Sequence, residues 1–197
     1  MDAGDVIIQN GANSSVGQAV IQLAALSGIQ TINIVRQGSN YEEVNEHLKG
    51  LGGTIVCPSG YAGTAAFKRM ISDLPAPKLA LNLTGGPDAT TCVRALAPGG
   101  TMVTYGGMSR QPVTIPTSAL IFKDIKLRGF WMSKWIETHT KEERIEMLDR
   151  LIAVIRQDKL RTWMVRYPFS NFTAAVTDVV EQKTKRKVLL MMDETDL

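Results

Sequence analysis

The turn Asn13-Ser14-Ser15-Val16-Gly17 contains the residues of this chain whose types and spacing best fit a chemical task. It follows the apolar residues 6–8 and precedes a stretch with the apolar spacing of a helix. The first N–H groups of a helix have no partner within it, and with the helix dipole they attract an anion. Ser14 or Ser15 can cap the helix or donate a hydroxyl to that anion. The turn therefore predicts a diphosphate site on the amides of Ser15, Val16 and Gly17, with a simple helix cap as the alternative.

Arg36 follows a second apolar run, residues 30–35. A strand, a tight turn, a helix and a second strand form the phosphate-binding unit of dinucleotide folds. At the end of the second strand an acidic residue would bind a free ribose 2′-hydroxyl, whereas an arginine suits a 2′-phosphate. The pattern therefore predicts an NADP(H) site. A P-loop is not indicated because no Lys follows Gly17, and Arg36 stands where a methyltransferase would have an acidic residue.

Two glycine pairs, Gly85-Gly86 and Gly106-Gly107, each follow an apolar run. Ligands of open α/β sheets lie beyond the carboxyl ends of the strands, where glycines let the backbone approach a flat ring. The bulky segment Phe130-Trp131-Met132 is expected on the same rim. The alternatives are that the glycines only form tight turns and that the bulky residues contact the core or a second copy.

Apolar runs alternate with helix-like segments from residue 5 to residue 129. The predicted strands are residues 5–9, 30–35, 54–56, 79–83, 101–105 and 125–129. The predicted helices between them are residues 16–27, 41–51, 64–73 and 88–96. This alternation indicates an α/β fold with a doubly wound, parallel, six-stranded Rossmann sheet.

The last third of the chain follows a different pattern. Thr140 and Glu143 predict a capping box at the start of a long helix. Its apolar positions, expected to face inward, are Ile145, Leu148, Leu151, Ile152 and Ile155. An extended piece at residues 163–167, a helix at 171–181 and a strand at 188–191 are expected after it. We therefore predict a dinucleotide-binding domain over residues 1–160 and a C-terminal helix-strand extension over residues 161–197.

Composition excludes several classes of function. Apolar residues make up 44% of the 197-residue chain and charged residues 21%, with a net charge of +3, which is too small to indicate nucleic-acid binding. Cys57 and Cys92 lack the spacing of a metal site, and no apolar run is long enough to span a membrane. His47, among charged neighbours, is expected on a solvated helix face. No catalytic triad, carboxylate pair or metal cluster is predicted.

Most of residues 4–135 resembles the mitochondrial trans-2-enoyl thioester (enoyl-CoA) reductases of the medium-chain dehydrogenase/reductase superfamily. The matching motifs are Ile8-Gln9-Asn10, Asn13-Ser14-Ser15-Val16-Gly17-Gln18, Leu79-Ala80-Leu81-Asn82, Gly85-Gly86, Met102-Val103-Thr104-Tyr105-Gly106-Gly107-Met108, Gln111-Pro112-Val113, Leu120-Ile121-Phe122-Lys123 and Gly129-Phe130-Trp131. The Tyr-Gly-Gly-Met and Gly-Phe-Trp segments are far more specific than the glycine turn. From residue 136 to residue 185 the match is looser.

The resemblance implies an NADPH-dependent oxidoreductase that reduces the 2,3 double bond of enoyl thioesters in mitochondrial fatty acid synthesis without a metal. The substrate would be carried by CoA or by acyl carrier protein. The implied cofactor residues are Asn13, Ser14, Ser15 and Val16 for the diphosphate, Arg36, Gln37 and Gly38 for the 2′-phosphate, and Tyr105, Gly106, Gly107, Met108, Phe130, Trp131 and Met132 for the nicotinamide side. A basic residue before the last strand also belongs to the family's site, and the register favours Arg186 over Lys187. No residue of this chain is expected to be catalytic.

The chain departs from the family's pattern in three respects. Ser15 replaces a common glycine, and Gln37-Gly38 replaces an Asp-Arg pair, which removes one basic contact to the 2′-phosphate. The family's N-terminal domain, which supplies a proton-delivering Tyr, has no counterpart here, so we expect the isolated chain to turn over little or nothing. A homodimer through the edge strand at residues 125–129 is expected. A quinone or alkenal reductase, or a non-catalytic nucleotide-binding module, stays open as an alternative.

Overall fold

The computed structural model describes residues 1–38, 40–181, 184 and 186–192. Contacts divide the chain into two compact units, Met1–Leu160 and Arg161–Leu197. The predicted C-terminal extension includes residues 182, 183, 185 and 193–197, which lie outside the described residues.

The first unit is built on a six-stranded sheet in which every neighbouring pair is parallel. Its strands are β1 (Val6–Asn10), β2 (Gln30–Val35), β3 (Ile55–Pro58), β4 (Leu79–Asn82), β5 (Thr101–Thr104) and β6 (Lys126–Gly129). The order across the sheet is β3-β2-β1-β4-β5-β6, so the winding reverses between β1 and β4. This is the strand order of dinucleotide-binding Rossmann folds. The predicted fold class is therefore confirmed, and β6 is an edge strand as expected.

The core lies around the central strands, which are rich in β-branched residues. Val6, Ile8, Ile32 and Ile34 are completely buried. Parallel strands covered on both faces need such continuous apolar runs, because neither face of the sheet meets water. The strands therefore form a rigid base from which the loops at their carboxyl ends emerge.

Seven helices accompany the sheet in the described part of this unit. They are α1 (Ser15–Leu26), α2 (Tyr41–Gly50), α3 (Ala65–Met70), α4 (Gly86–Ala95), α5 (Thr117–Lys123), α6 (Met132–Thr138) and α7 (Lys141–Arg156). The sequence did not predict α5 and α6, because seven residues are too few to show a clear helical period. Asp124, in the left-handed region at φ +48°, ends α5.

The capping box at the start of α7 is confirmed. The Glu143 amide donates to Thr140 Oγ1 at 3.2 Å, and the Thr140 amide donates to Glu143 Oε2 at 2.8 Å. The predicted inward orientation of its apolar face is wrong, because Ile145, Leu148, Ile152 and Ile155 are 41–52% exposed. Periodicity shows that one helix face is apolar, but it does not show which surface covers that face.

The second unit contains a small two-stranded sheet. Its elements are β7 (Met164–Pro168), a 3₁₀ turn (Phe169–Asn171), α8 (Phe172–Val180) and β8 (Lys187–Met191). β7 and β8 run parallel, with Val165 opposite Val188. The Tyr167 hydroxyl donates to the Asp178 carboxylate and so ties β7 to α8. The helix and the final strand predicted here are confirmed.

Candidate functional site

The turn after β1 presents unpaired backbone donors at the start of α1. Among the described residues, no acceptor takes the amides of Ser15 or Val16, and both residues are solvent-exposed. Ser14 is the N-cap, in extended conformation at φ −68° and ψ 161°. Two outward amides at the positive end of a helix dipole form a site for an anion.

The Gly17 amide is not unpaired, contrary to the sequence prediction for the start of this helix. It donates to Ser14 Oγ at 3.1 Å, and its contact with an anion stays a prediction. This hydrogen bond is the usual helix cap, in which the side chain of the N-cap residue accepts the third amide of the helix. The Ser14 hydroxyl still has its own proton to donate. The helix cap is therefore confirmed, and an anion site at the same turn stays a prediction.

Gly17 has a different role, which is close packing. A Cβ at this position would lie 2.5 Å from the Ala12 carbonyl oxygen. The Gly17 carbonyl in turn accepts from Gln9 Nε2 at 3.0 Å, in the core of the sheet. Only a residue without a side chain lets α1 begin this near to the turn.

The Asn13 carbonyl of the turn is held by a contact that the sequence did not predict. Gln18 Nε2 donates to this carbonyl at 2.8 Å, and Gln18 Oε1 lies 3.2 Å from His47 Nε2. Because the Gln18 oxygen can only accept, His47 must carry the proton on Nε2. The expectation that His47 lies on a solvated face is wrong, since it is half-buried against this glutamine. The sequence could not predict this contact, because charged residues surround His47 in the sequence and indicate a solvent-exposed helix face.

The end of β2 is joined directly to the turn after β1. The Ala12 amide donates to the Ile34 carbonyl at 3.2 Å. Arg36 follows the last residue of β2 and is exposed at the carboxyl edge of the sheet. This is the position at which a Rossmann fold meets the adenosine ribose.

Gln37 and Gly38 continue from Arg36 toward α2. A Cβ added at Gly60, after β3, would lie 3.5 Å from Gln37 Oε1, so Gln37 reaches the neighbouring strand's loop. The Gly38 carbonyl accepts from the Tyr41 amide at 3.1 Å, and Gly38 is exposed. The three residues predicted around a 2′-phosphate therefore share one exposed corner.

The loop after β5 contacts the loop after β4. The Met108 amide donates to the Leu83 carbonyl at 3.1 Å, and a Cβ at Gly106 would lie 2.5 Å from Leu83 Cδ1. Gly106 thus permits a close backbone approach, whereas Gly107 has open space around it. The side chain of Met108 is 72% exposed.

Tyr105, at the start of that loop, has an orphaned polar atom. Its hydroxyl oxygen is buried and finds no hydrogen-bond partner within the described part of the chain. Burial raises the pKa of the Tyr105 phenol above its usual value, so the hydroxyl keeps its proton at neutral pH.

The segment Phe130-Trp131-Met132 follows β6 on the same edge. The Phe130 amide donates to the Thr104 carbonyl at 2.9 Å, which fixes the segment beside the end of β5. All three side chains are exposed, and Trp131 is 68% exposed. The core-contact alternative is therefore wrong for these residues, and a rim or interface position stays open.

Arg186 belongs to the second unit. Its guanidinium carbon lies 5.3 Å from the centre of the Trp163 ring, within reach of a cation–π interaction. It is exposed directly before β8, which matches the register expected from the sequence. Its role toward a cofactor stays a prediction.

The described residues contain neither a cluster of metal ligands nor a membrane-spanning helix. Within them, no three His, Cys, Asp or Glu side chains cluster as metal ligands would. None of the described helices combines the length and apolarity needed to cross a bilayer. Cys57 and Cys92 are buried thiols, and burial raises the pKa of Cys57 to about 12.

Comparison with known proteins agrees with this geometry. The family model for zinc-binding dehydrogenases matches residues 15–152. The mitochondrial enoyl-[acyl-carrier-protein] reductase of Dictyostelium discoideum is 50% identical over 190 residues, which cover 96% of this chain and 54% of that protein. The chain thus spans about half the length of this relative.

Solved structures give the same result. The Etr1p/NADP/crotonyl-CoA complex superposes with a TM-score of 0.82 at 34% identity, covering 97% of this chain and 55% of that one. The mitochondrial 2-enoyl thioester reductase Etr1p/Etr2p heterodimer from Candida tropicalis gives 0.80 at 33% identity, covering 92% and 53%. The resemblance to enoyl thioester reductases is confirmed. Since the family model covers well over half of its residues, the chain belongs to the zinc-binding dehydrogenase family.

Proposed function

We propose that this chain is the NADPH-binding part of a mitochondrial 2-enoyl thioester reductase. The observation that carries the proposal is the pair of outward amides, Ser15 and Val16, on the same sheet edge as Arg36. The relatives support it: one is named a mitochondrial enoyl reductase, and one was solved with NADP and crotonyl-CoA. A mitochondrial location and a role in fatty acid synthesis follow from the same relationship.

The residues at this edge fit the cofactor. Two amides at the start of α1, with the Ser14 hydroxyl and the Asn13 backbone, bind the diphosphate. The missing Cβ of Gly17 lets α1 begin against the Ala12 backbone, since that Cβ would lie 2.5 Å from the Ala12 carbonyl oxygen, and the missing Cβ of Gly11 leaves room for the Leu83 side chain, 2.9 Å away. Arg36, with Gln37 and Gly38, binds the 2′-phosphate, because a guanidinium donates to two phosphate oxygens at once.

The nicotinamide half lies toward β4, β5 and β6. Bound NADPH supplies a hydride, and the protein contributes orientation and electrostatics. The Tyr105 hydroxyl, which has no partner among the described residues, would be free to donate to the cofactor, and Gly107 has open space around it. Met108, with Phe130, Trp131 and Met132, supplies apolar surface that excludes water from this end.

The second unit contributes to a site that this chain does not complete. In the proposal, residues 161–197 pack on a catalytic domain that lies elsewhere in the whole protein, and Arg186 stays a predicted cofactor residue. The relative from Dictyostelium, nearly twice as long as the matched region, supports this division. The substrate is an enoyl thioester of CoA or of acyl carrier protein, and the isolated chain turns over little or nothing.

A titration tests the proposal. The 197-residue chain should quench or shift NADPH fluorescence on binding, with NADPH preferred over NADH by about tenfold, as one retained arginine contact predicts. Binding of neither nucleotide, or a clear preference for NADH, would reject the proposal. Assay of a longer parent chain with crotonyl-CoA and with a quinone then separates the enoyl reductase from the alternative reductase.

The edge strand β6 is proposed to pair with a second copy. All four of its residues are exposed, including Leu127, and an uncovered edge offers unpaired backbone groups to another strand. Exposed apolar side chains continue on α5, where Phe122 is 80% exposed. The Candida tropicalis relative was solved as an Etr1p/Etr2p heterodimer, which supports pairing between two chains.

Leu127→Glu should convert such a dimer to monomer. Two like charges would face each other near the symmetry axis, which costs several kcal/mol, so dimer affinity should fall at least about 100-fold. Light scattering coupled to size exclusion measures the mass directly. Met70→Glu is the matched control, because Met70 is also exposed but lies on α3. A wild-type monomer at high concentration, or a Leu127→Glu dimer of unchanged affinity, would contradict the pairing.

A further inference from the structure

Three buried amide side chains end the central strands, where apolar residues are the rule for a parallel sheet. Gln9 and Asn10 close β1 and Asn82 closes β4, and all three are completely buried. Leu or Val would fill these positions without the cost of burying polar atoms. The amides of Asn10 and Asn82 must therefore serve a purpose beyond packing.

Asn10 and Asn82 form one hydrogen-bonded chain across three strands. Asn10 Nδ2 donates to Asn82 Oδ1 at 2.8 Å, and Asn82 Nδ2 donates to Thr104 Oγ1 at 3.1 Å. These two hydrogen bonds link the carboxyl ends of β1, β4 and β5. The hydrogen-bonded chain crosses the point between β1 and β4 where the winding reverses, which is where open α/β sheets bind their ligands.

The oxygens of the two amides hold the backbone of the loop after β4. Asn10 Oδ1 accepts the Leu83 amide at 2.7 Å and the Thr84 amide at 3.1 Å. Asn82 Oδ1 accepts the Gly85 amide at 3.0 Å. Two side chains thus fix three successive backbone amides. Residues 83–85 lie between β4 and α4, so these amides are outside the sheet.

This loop in turn sets the position of the loops on both sides of it. The Leu83 side chain occupies the space beside two glycines, since a Cβ at Gly11 would lie 2.9 Å and one at Gly106 2.5 Å from its Cδ atoms. The Thr84 carbonyl accepts the Ser109 amide at 2.9 Å. The turn after β1 and the loop after β5 therefore rest on the segment that Asn10 and Asn82 hold.

We propose that Asn10 and Asn82 are positioning residues, which set the geometry of the cofactor site through residues 83–85 without touching the cofactor themselves. The inference rests on the proposed function, because the loops they hold flank the NADPH site. On this inference, the main role of the two buried amides is to fix the loops around the cofactor site, and not to stabilise the core.

Amide hydrogen exchange of the ligand-free chain tests the inference directly. In Asn82→Ala, exchange should accelerate at least about tenfold at Leu83, Thr84 and Gly85, since their acceptors are lost or loosened. Asn82→Asp keeps an acceptor oxygen for Gly85, and Thr104 can turn its hydroxyl to donate to the other oxygen. Exchange in this variant should stay near the wild-type rate. Equal acceleration in the Asp and Ala variants, or none in either, would overturn the inference.

NADPH affinity supplies the second measurement. Asn10→Ala and Asn82→Ala should each weaken NADPH binding about tenfold, and the double variant little more, because both act through one loop. NADH binding should weaken by the same factor, because the loop serves both nucleotides. Val6→Ala is the matched control: it lies on the same strand, is equally buried, and sits at the opposite end of β1 from the loops. It should lower thermal stability while leaving affinity unchanged.

A milder variant covers the case in which the alanine variants do not fold. Thr104→Val preserves shape and removes only the outermost acceptor of the chain, so it should weaken NADPH about threefold. If Asn10→Ala and Asn82→Ala bind NADPH as tightly as the wild type, the positioning role is overturned while the proposed function stands. If neither alanine variant folds, wild-type affinity in Thr104→Val has the same meaning. Failure of the wild-type chain itself to bind NADPH would reject the proposed function, and the positioning role with it.

Discussion

Gly17→Ala is expected to weaken NADPH binding about 10- to 100-fold, because the added methyl displaces the amides proposed to hold the diphosphate, and a hydrogen bond to a charged group contributes about 1.5–3 kcal/mol. The added methyl would lie 2.5 Å from the Ala12 carbonyl oxygen and 2.7 Å from the Ala12 carbonyl carbon and Cα. These are backbone atoms of the turn, so relief requires that α1 move away from it. The amides of Ser15 and Val16 would move with the helix.

The same shift would strain two contacts that locate α1. The Gly17 amide would leave Ser14 Oγ, and the Gly17 carbonyl would leave Gln9 Nε2, which is buried in the sheet. We therefore expect the thermal midpoint to fall by several degrees together with the affinity. Isothermal calorimetry with NADPH and a thermal melt measure both effects.

Gly50→Ala is the matched control for this variant. Gly50 ends α2, has ordinary helical geometry and has nothing within 4 Å of an added Cβ. Alanine should leave NADPH affinity unchanged and stabilise the helix slightly, by about 0.5–1 kcal/mol at most. If Gly17→Ala behaves like Gly50→Ala, close packing between α1 and the turn does not shape the site.

The sheet could be predicted from sequence because its signals are local. The central strands are mostly apolar runs followed by a glycine or a polar turn, and β-branched residues are frequent in them, as at residues 30–35. The capping box at Thr140 could be predicted for the same reason, since both partners lie within one helical turn. Where one short segment contains the whole interaction, the residue types are sufficient.

The rim of the site could not be predicted in the same way, because its interactions join distant segments. Asn10 and Asn82 are separated by most of the sheet-forming half of the chain, and neither forms a recognisable motif with the other. The glycine motif predicts that an anion site exists after β1. It does not show that the loop after β4, held by these amides, supports that site.

Which acceptor each N–H group of the turn after β1 binds also depends on three-dimensional geometry, which the spacing of residues in the sequence does not show. The sequence predicts Ser14 both as a helix cap and as an anion donor, and the structure shows that the cap takes the Gly17 amide. Because the cap already takes the Gly17 amide, we expect the other proposed contacts, Arg36 above all, to carry more of the NADPH affinity.

Arg36→Ala is expected to weaken NADPH about 10- to 100-fold and to leave NADH within about twofold, because charge-assisted hydrogen bonds contribute about 1.5–3 kcal/mol. Only the 2′-phosphate distinguishes the two nucleotides, so the change in their affinity ratio isolates this contact. Parallel titrations at two salt concentrations measure it, and the salt dependence of NADPH binding should also fall. Arg69→Ala, another exposed arginine, on α3, is the control and should change neither affinity.

Gly38→Arg tests the same corner in the opposite direction. The resemblance to the reductase family indicates a second basic residue at this position, which this chain lacks. A Cβ at Gly38 would meet only Asn40 Oδ1, at an ordinary 3.6 Å, so the backbone can accept the side chain. We expect NADPH to bind about three- to tenfold more tightly and NADH to be unaffected. If Arg36→Ala and Gly38→Arg both leave the ratio of NADPH to NADH affinity unchanged, the 2′-phosphate does not bind at this corner of the sheet.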